Sequence, residues 1–338
     1  MTLFKDSAFN SYSLKILKCI HLRKDVSSVA ALPDPDSPQE IQLKNGTLTC
    51  LDAEYLRADV RRIDASENRI ATLQKNLSRL TQLEELILDK NCIKEIPSLS
   101  VIQKFPKLKL LSLCCQVEKS ALGFHNDYKT LRSIDTWLST CSGLRELYLS
   151  HNKISEVPED LKCLSNLKVL ELSNNQLQRI PGAALSEWTN MEYLNLGCNR
   201  LLEIPDEIGR MRSLRVLRLS DNSLRQLPSA VCRLYKLQTL TLSKNRLVAL
   251  PFGFHNLSGL MPGNSQPYYV RHLNTTFSAT LRLGENRNMI YPPLQSMGET
   301  QNEVNVENVF EAMRMTERSS QQVELLTEKI RKFIKNNP

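Results

Sequence analysis

The chain has 338 residues, 41% hydrophobic and 24% charged, with 11 glycines and 6% aromatics, proportions that exclude collagen-like and low-complexity classes. Forty-four basic against 36 acidic side chains give a formal charge of +8, a mild bias that does not by itself point to nucleic acid. No apolar run approaches the ~20 residues needed to span a bilayer.

Residues 1–38 read as an N-terminal helix or cap followed by a linker. Leu14, Ile16, Leu17, Ile20 and Leu22 interleave with Lys15, Lys18, His21, Arg23 and Lys24, which is an amphipathic stretch and not the apolar block of a signal peptide. It is expected to cap the core or to dock on a partner or membrane surface. Pro33, Pro35 and Pro38 mark an extended linker. A cytoplasmic or nuclear compartment is therefore expected. The nine cysteines include no CxxC pair and are expected to be reduced thiols, with no metal site.

Residues 39–299 carry an internal repeat. Leu144, Leu147 and Leu149 lead to Asn152, and the same frame leads to Asn175, Asn199, Asn222 and Asn245 at spacings of 23, 24, 23 and 23 residues. Earlier, Leu83, Leu86 and Leu88 lead to Asn91. A proline follows each of these six asparagines at a constant interval: Pro97, Pro158, Pro181, Pro205, Pro228 and Pro251. Weaker turns place Asn68, Gln116 and Asn286 in the asparagine slot, and Gly46 in an opening one, for about ten turns in all. The L-x-L alternation puts two leucines on one face of a short strand. Asparagine, with an amide donor and an acceptor, can satisfy backbone groups where the chain turns inward. Stacked asparagines at 68, 91, 152, 175, 199, 222, 245 and 286 (Asn68, Asn91, Asn152, Asn175, Asn199, Asn222, Asn245, Asn286) would then form a buried ladder. Proline, lacking an N–H, suits the return segment.

Two spacings are too long. One insertion falls near 117–134, where Leu131, Ile134 and Leu138 have helical spacing. The other, near 258–277, contains Gly259, Pro262, Gly263, Asn264 and Pro267 before Tyr268-Tyr269, which is a loop composition.

Residues 300–338 read as a helical cap and tail. Val306, Val309, Phe310 and Met313 follow the i, i+3, i+4, i+7 pattern, and Val323, Leu326, Ile330 and Phe333 continue it. Lys329, Arg331, Lys332 and Lys335 make the tail basic.

The unit LxxLxLxxNxLxxIP resembles the leucine-rich repeats of intracellular proteins. Its 23-residue length with the I/L/V-P ending is similar to the scribble-type and plant Ras-group subfamily, to which the Ras–Raf scaffold also belongs. Asn286 followed by Tyr291-Pro292-Pro293 and a helix resembles that subfamily's closing turn. The resemblance implies an α/β solenoid, a horseshoe with a parallel concave sheet of about ten turns and a helical C-terminal cap.

No phosphate-binding glycine loop, HExxH, GxSxG or paired histidine ligands are present, so no enzyme and no cofactor are expected. His151 and Cys198 sit beside ladder asparagines, with nothing nearby in sequence to activate the thiol. The non-leucine strand positions should face outward from the sheet. Those expected to contact a partner are Glu85, Ile87, Glu146, Tyr148, Glu171, Tyr193, Asn195, Arg218 and Thr241. Tyrosine and arginine dominate binding hot spots, and Tyr148 and Tyr193 read as surface residues with no role in the core. The expected function is a monomeric scaffold or adaptor that grips a protein partner on the concave face, with no nucleic acid and no transmembrane segment. The resemblance implies a signalling GTPase, kinase or phosphatase as that partner. A substrate-recruiting ubiquitin-ligase subunit is the alternative, since Ser13-Leu14 through Cys19 is similar to an Elongin-binding box offset by one residue. A structural role in a cilium or a nuclear assembly stays open.

Overall fold

The computed structural model describes residues 39–51, 53, 56, 58–94, 105–118, 128–129, 134, 141–291, 305–318 and 320–336. The amphipathic stretch Leu14–Leu22, the segment Ser13–Cys19, Pro97, Leu131, Leu138 and Pro292-Pro293 lie outside the described residues. The chain divides into two units, Met1–Ile154 and Ser155–Pro338.

In the first unit, strands β1 (Glu40–Gln42), β2 (Arg62–Asp64), β3 (Glu85–Ile87), β4 (Leu110–Ser112) and β5 (Glu146–Tyr148) pair in parallel, in that order. Ile41, Ile63, Leu86, Leu111 and Leu147 stand in register at the strand centres and are buried. In the second unit, β6 (Val169–Glu171), β7 (Tyr193–Asn195), β8 (Val216–Arg218), β9 (Thr239–Thr241) and β12 (Thr280–Arg282) repeat the arrangement, with Leu170, Leu194, Leu217, Leu240 and Leu281 aligned beneath them. A three-residue strand cannot bury its central apolar residue alone. Each coil therefore depends on its neighbours, as in other stacked repeats.

The prolines act where each coil begins its return. Pro158, Pro205 and Pro228 stand at φ −66°, −62° and −64°, immediately before the five-residue 3-10 turns Glu159–Cys163, Asp206–Arg210 and Ser229–Arg233. Pro181 does the same for the short helix α1 (Gly182–Glu187). Proline's locked φ fits this position, and its missing N–H is no loss there. Leu161, Ile208 and Val231 point from these turns into the core. The turns stack closely: a Cβ on Gly209 would stand 2.7 Å from the Ala230 carbonyl oxygen.

The asparagines form a repeated backbone clamp. Asn222 Nδ2 donates to the carbonyls of Leu196 (2.9 Å) and Leu219 (3.0 Å), and its Oδ1 accepts from Leu201 N–H at 3.0 Å. Asn68, Asn91, Asn199, Asn245 and Asn286 repeat the pattern, each taking a backbone N–H from the preceding coil. Asn152 accepts instead from Gln116 N–H and donates to Leu113 and Leu149, while Asn175 donates to Leu172 and Ser173. Gln116 does the asparagine's work with one more methylene. Its Oε1 accepts from Ile93 N–H and its Nε2 donates to Leu88 O. The residue before each ladder position is left-handed. Glu67, Lys90, Cys115, His151, Asn174, Cys198, Asp221, Lys244 and Glu285 have φ between 54° and 61°. This is the turn that swings the next side chain inward, at a local steric cost.

The insertion with loop composition contains a hairpin. After 3-10 turns at Phe254–Asn256 and Ser258–Leu260, β10 (Tyr268–Val270) pairs antiparallel with β11 (Thr275–Phe277). Asn274, at φ 48°, ends the connecting turn, where its N–H bonds to Arg271 O at 3.1 Å. The glycines and prolines of this segment lie before the hairpin strands.

Two helices follow, α2 (Val306–Glu317) and α3 (Ser320–Asn336). Asn305 caps α2 by accepting from Asn308 N–H. Val306, Val309, Phe310 and Met313 are buried, with Phe310 edge-on to Phe254 at 6.1 Å. Glu317 fixes the helix end. Its carboxylate accepts from Gly253 N–H (3.0 Å) and from the Tyr291 hydroxyl (2.8 Å), with His255 Nδ1 at 3.4 Å.

Candidate functional site

The sheet face opposite the leucines is the candidate surface, because it is the side of the strands that the core does not consume. In the first unit it is knitted together along the strands. Arg62 pairs with Glu85, Lys44 with Asp64 (2.9 Å), and Lys109 with Glu84 (2.6 Å). The hydrogen bond from Lys109 holds the Glu84 carboxyl below its ordinary value. Asp89 accepts from Ser112 Oγ (2.6 Å) and Cys114 N–H (2.8 Å), and the Tyr148 hydroxyl donates to Glu146 (2.7 Å).

In the second unit the hairpin lies against part of the face. Phe277 meets the Tyr193 ring at 5.3 Å, Thr239 Oγ1 donates to Ser278 O (2.6 Å), and the Arg215 guanidinium sits 5.5 Å from the Tyr268 ring centre. Beneath it, the buried Glu171 carboxylate accepts from the Tyr193 hydroxyl (2.7 Å), Asn195 Nδ2 (2.8 Å) and Ser173 N–H (3.0 Å). Burial and the adjacent Glu171 charge push the Tyr193 hydroxyl well above the usual tyrosine range.

These contacts correct the expected surface. Tyr148 and Tyr193 are fully buried, and Ile87, Glu171, Asn195 and Thr241 are at least nine-tenths buried. Glu85 and Glu146 are half-buried and engaged with Arg62 and Tyr148. Of the nine expected contact residues, Arg218 alone is exposed. The reason is spacing. Parallel strands stand about 4.8 Å apart, so side chains in one column pack on each other and on the hairpin before they meet solvent. Sequence reasoning missed Phe277 as a lid over Tyr193. The signal available was the aromatic, β-branched run Tyr268 to Phe277 after the glycine-rich part of the insertion. Arg282, in the same column as Arg218, is also exposed.

Among the described residues no group of three His, Cys, Asp or Glu side chains could hold a metal ion. Cys92, Cys114, Cys163, Cys198 and Cys232 carry free thiols. Burial pushes the Cys114 thiol far above its usual value and Cys232 up to about 11. Partial burial and the Asp221 charge raise Cys198. All three are poorer nucleophiles than an ordinary thiol. A cleft of about 660 Å3 runs between the loops after β9 and β12 and the end of α3, where Lys244, Glu285 and Arg287 face Phe333 and Ile334. Among the described residues no helix is long and apolar enough to cross a membrane.

The family profile for a leucine-rich repeat region matches residues 143–262. The chain is a leucine-rich repeat protein. A functional domain of InlJ from Listeria monocytogenes, which includes a cysteine ladder, shares the fold. Its TM-score is 0.57 at 19% identity, over 78% of this chain and 47% of that one. The plant peptide hormone receptor RGFR1, solved with RGF2, gives a TM-score of 0.50 at 26% identity, over 65% of this chain and 33% of the receptor. In sequence, this leucine-rich repeat chain is 26% identical over 170 residues to the protein phosphatase 1 regulatory inhibitor subunit PPP1R7 homolog of Arabidopsis thaliana, covering 47% of this chain and 51% of the relative. It is 30% identical over 122 residues to the flightless-1 homolog of Caenorhabditis elegans, covering 36% and 9%. The chain thus spans about half the length of the first relative and about a tenth of the second.

Proposed function

We propose that the protein is a non-catalytic adaptor whose repeat sheet holds a protein partner, with the second unit's face around Arg218 and Arg282 as its centre. The observation that carries this reading is the contrast along that face. Tyr193, Glu171 and Asn195 lock one another in place, while the two arginines project into solvent from a rigid sheet. A pre-organised surface loses little entropy on binding, and arginine is enriched at binding hot spots. The relative named as a regulatory inhibitor subunit of protein phosphatase 1 supports a regulatory adaptor role. On the same footing we place the chain in the scribble-type and Ras-group subfamily, acting as a cytoplasmic signalling scaffold. The test is a comparative pull-down with the full chain and an Arg218→Glu, Arg282→Glu variant of unchanged Tm. Loss of a defined set of proteins from the variant supports the reading. Identical capture profiles overturn it.

A further inference from the structure

We propose that Arg218, Thr241 and Arg282 form a receptor for a phosphorylated serine or threonine side chain of a protein partner, a reading that rests on the second unit's face being the docking surface. Arg218, Thr241 and Arg282 are one row in register across β8, β9 and β12. Two strand spacings put the arginine Cα atoms about 10 Å apart, a gap that two guanidinium groups can close around one small anion. Both arginines are exposed, and among the described residues neither makes an ion pair. Between them Thr241 is 6% exposed, and its Oγ1 has no hydrogen-bond partner.

A buried hydroxyl left without a partner is costly. Its neighbours show the alternative, since Thr239 Oγ1 on the same strand is bonded to Ser278 O at 2.6 Å. An oxyanion drawn between the arginines supplies the acceptor that Thr241 lacks. The charges select the kind of anion. Lys244, the nearest lysine along the chain, faces Glu285 at 3.9 Å, and Glu171, two strands away in the same row as Arg218, is taken up by Tyr193 and Asn195. Neither arginine is tied up in an ion pair among the described residues, so both guanidinium forks stay open to an anion. A phosphate near −2 matches them and offers three acceptor oxygens for two forks and one hydroxyl, whereas a carboxylate leaves one charge over.

The probe is a fluorescent degenerate peptide library with a fixed central phosphoserine, titrated with the full chain, beside libraries carrying serine or glutamate at that position. The phosphoserine library is expected to bind at least about tenfold more tightly than either. Arg218→Gln with Arg282→Gln is expected to remove the preference, and Thr241→Val to weaken it about threefold while the Tm holds or rises. Equal binding of the serine or glutamate library overturns the proposal, as does phosphoserine binding that survives the arginine substitutions. If the pull-down still separates wild type from the charge-reversed variant, that outcome removes the phosphate receptor and leaves the docking surface standing.

Discussion

Replacing Asn222 by leucine measures the ladder. The amide group makes four described contacts: donations to Leu196, Leu219 and Ser220 carbonyls and acceptance from Leu201 N–H. These losses are unequal. Leu196 O keeps the Asn199 amide, Leu219 O keeps the Asn245 amide and Ser220 O keeps Cys198 N–H. Only Leu201 N–H is stranded, at about 1–3 kcal/mol, and three partly redundant bonds add about 0.5 kcal/mol each. The expected loss is roughly 3 kcal/mol, read by urea unfolding with the fully buried Trp188 of the same unit as the fluorescence probe. Asn222→Asp sharpens the test. Its carboxylate keeps the acceptor for Leu201 but turns an oxygen toward carbonyls, so burial and those dipoles raise its folded pKa. Stability is then full below the unfolded value of about 4 and falls as pH rises through the folded one. A leucine variant within 1 kcal/mol of wild type, or an aspartate variant indifferent to acid, refutes the clamp.

Phe277→Ala is expected to cost about 1–2 kcal/mol and to speed protease cleavage at the hairpin, since it removes the ring that covers Tyr193 at 5.3 Å; an unchanged digestion pattern counts against the lid. Asp221→Gly relieves a left-handed residue at φ 59° and should raise stability by about 0.5–1 kcal/mol in thermal melts, with a lower Tm as the contrary result. The Tyr193 and Tyr291 hydroxyls are held above the usual range by burial and by Glu171 and Glu317. A raised folded pKa means stability present below the unfolded value near 10 and lost above it, at about 1.4 kcal/mol per pH unit for each tyrosine. Tyr193→Phe should therefore flatten the fall in Tm between pH 10 and 11, and parallel curves for variant and wild type would exclude this linkage.

The repeat itself was legible because its residues answer to local demands. Leucine at alternate positions, asparagine at the inward turn and proline at the start of the return each satisfy geometry that a single coil imposes on itself, and periodicity multiplies the signal. Gln116 departs from asparagine in that slot, yet its longer amide reaches equivalent backbone groups. The outward column was not legible. Tyr193 became core because Phe277, eighty-four residues later, folds onto it, and Thr241 lies on a strand flanked by β8 and β12, with its hydroxyl buried and unpartnered. Local sequence sets how each coil turns and which leucines line its inside, since those choices are made within about 23 residues. Which outward side chains reach water was decided only by tertiary structure, because strands from distant repeats come to lie side by side and cover or flank one another.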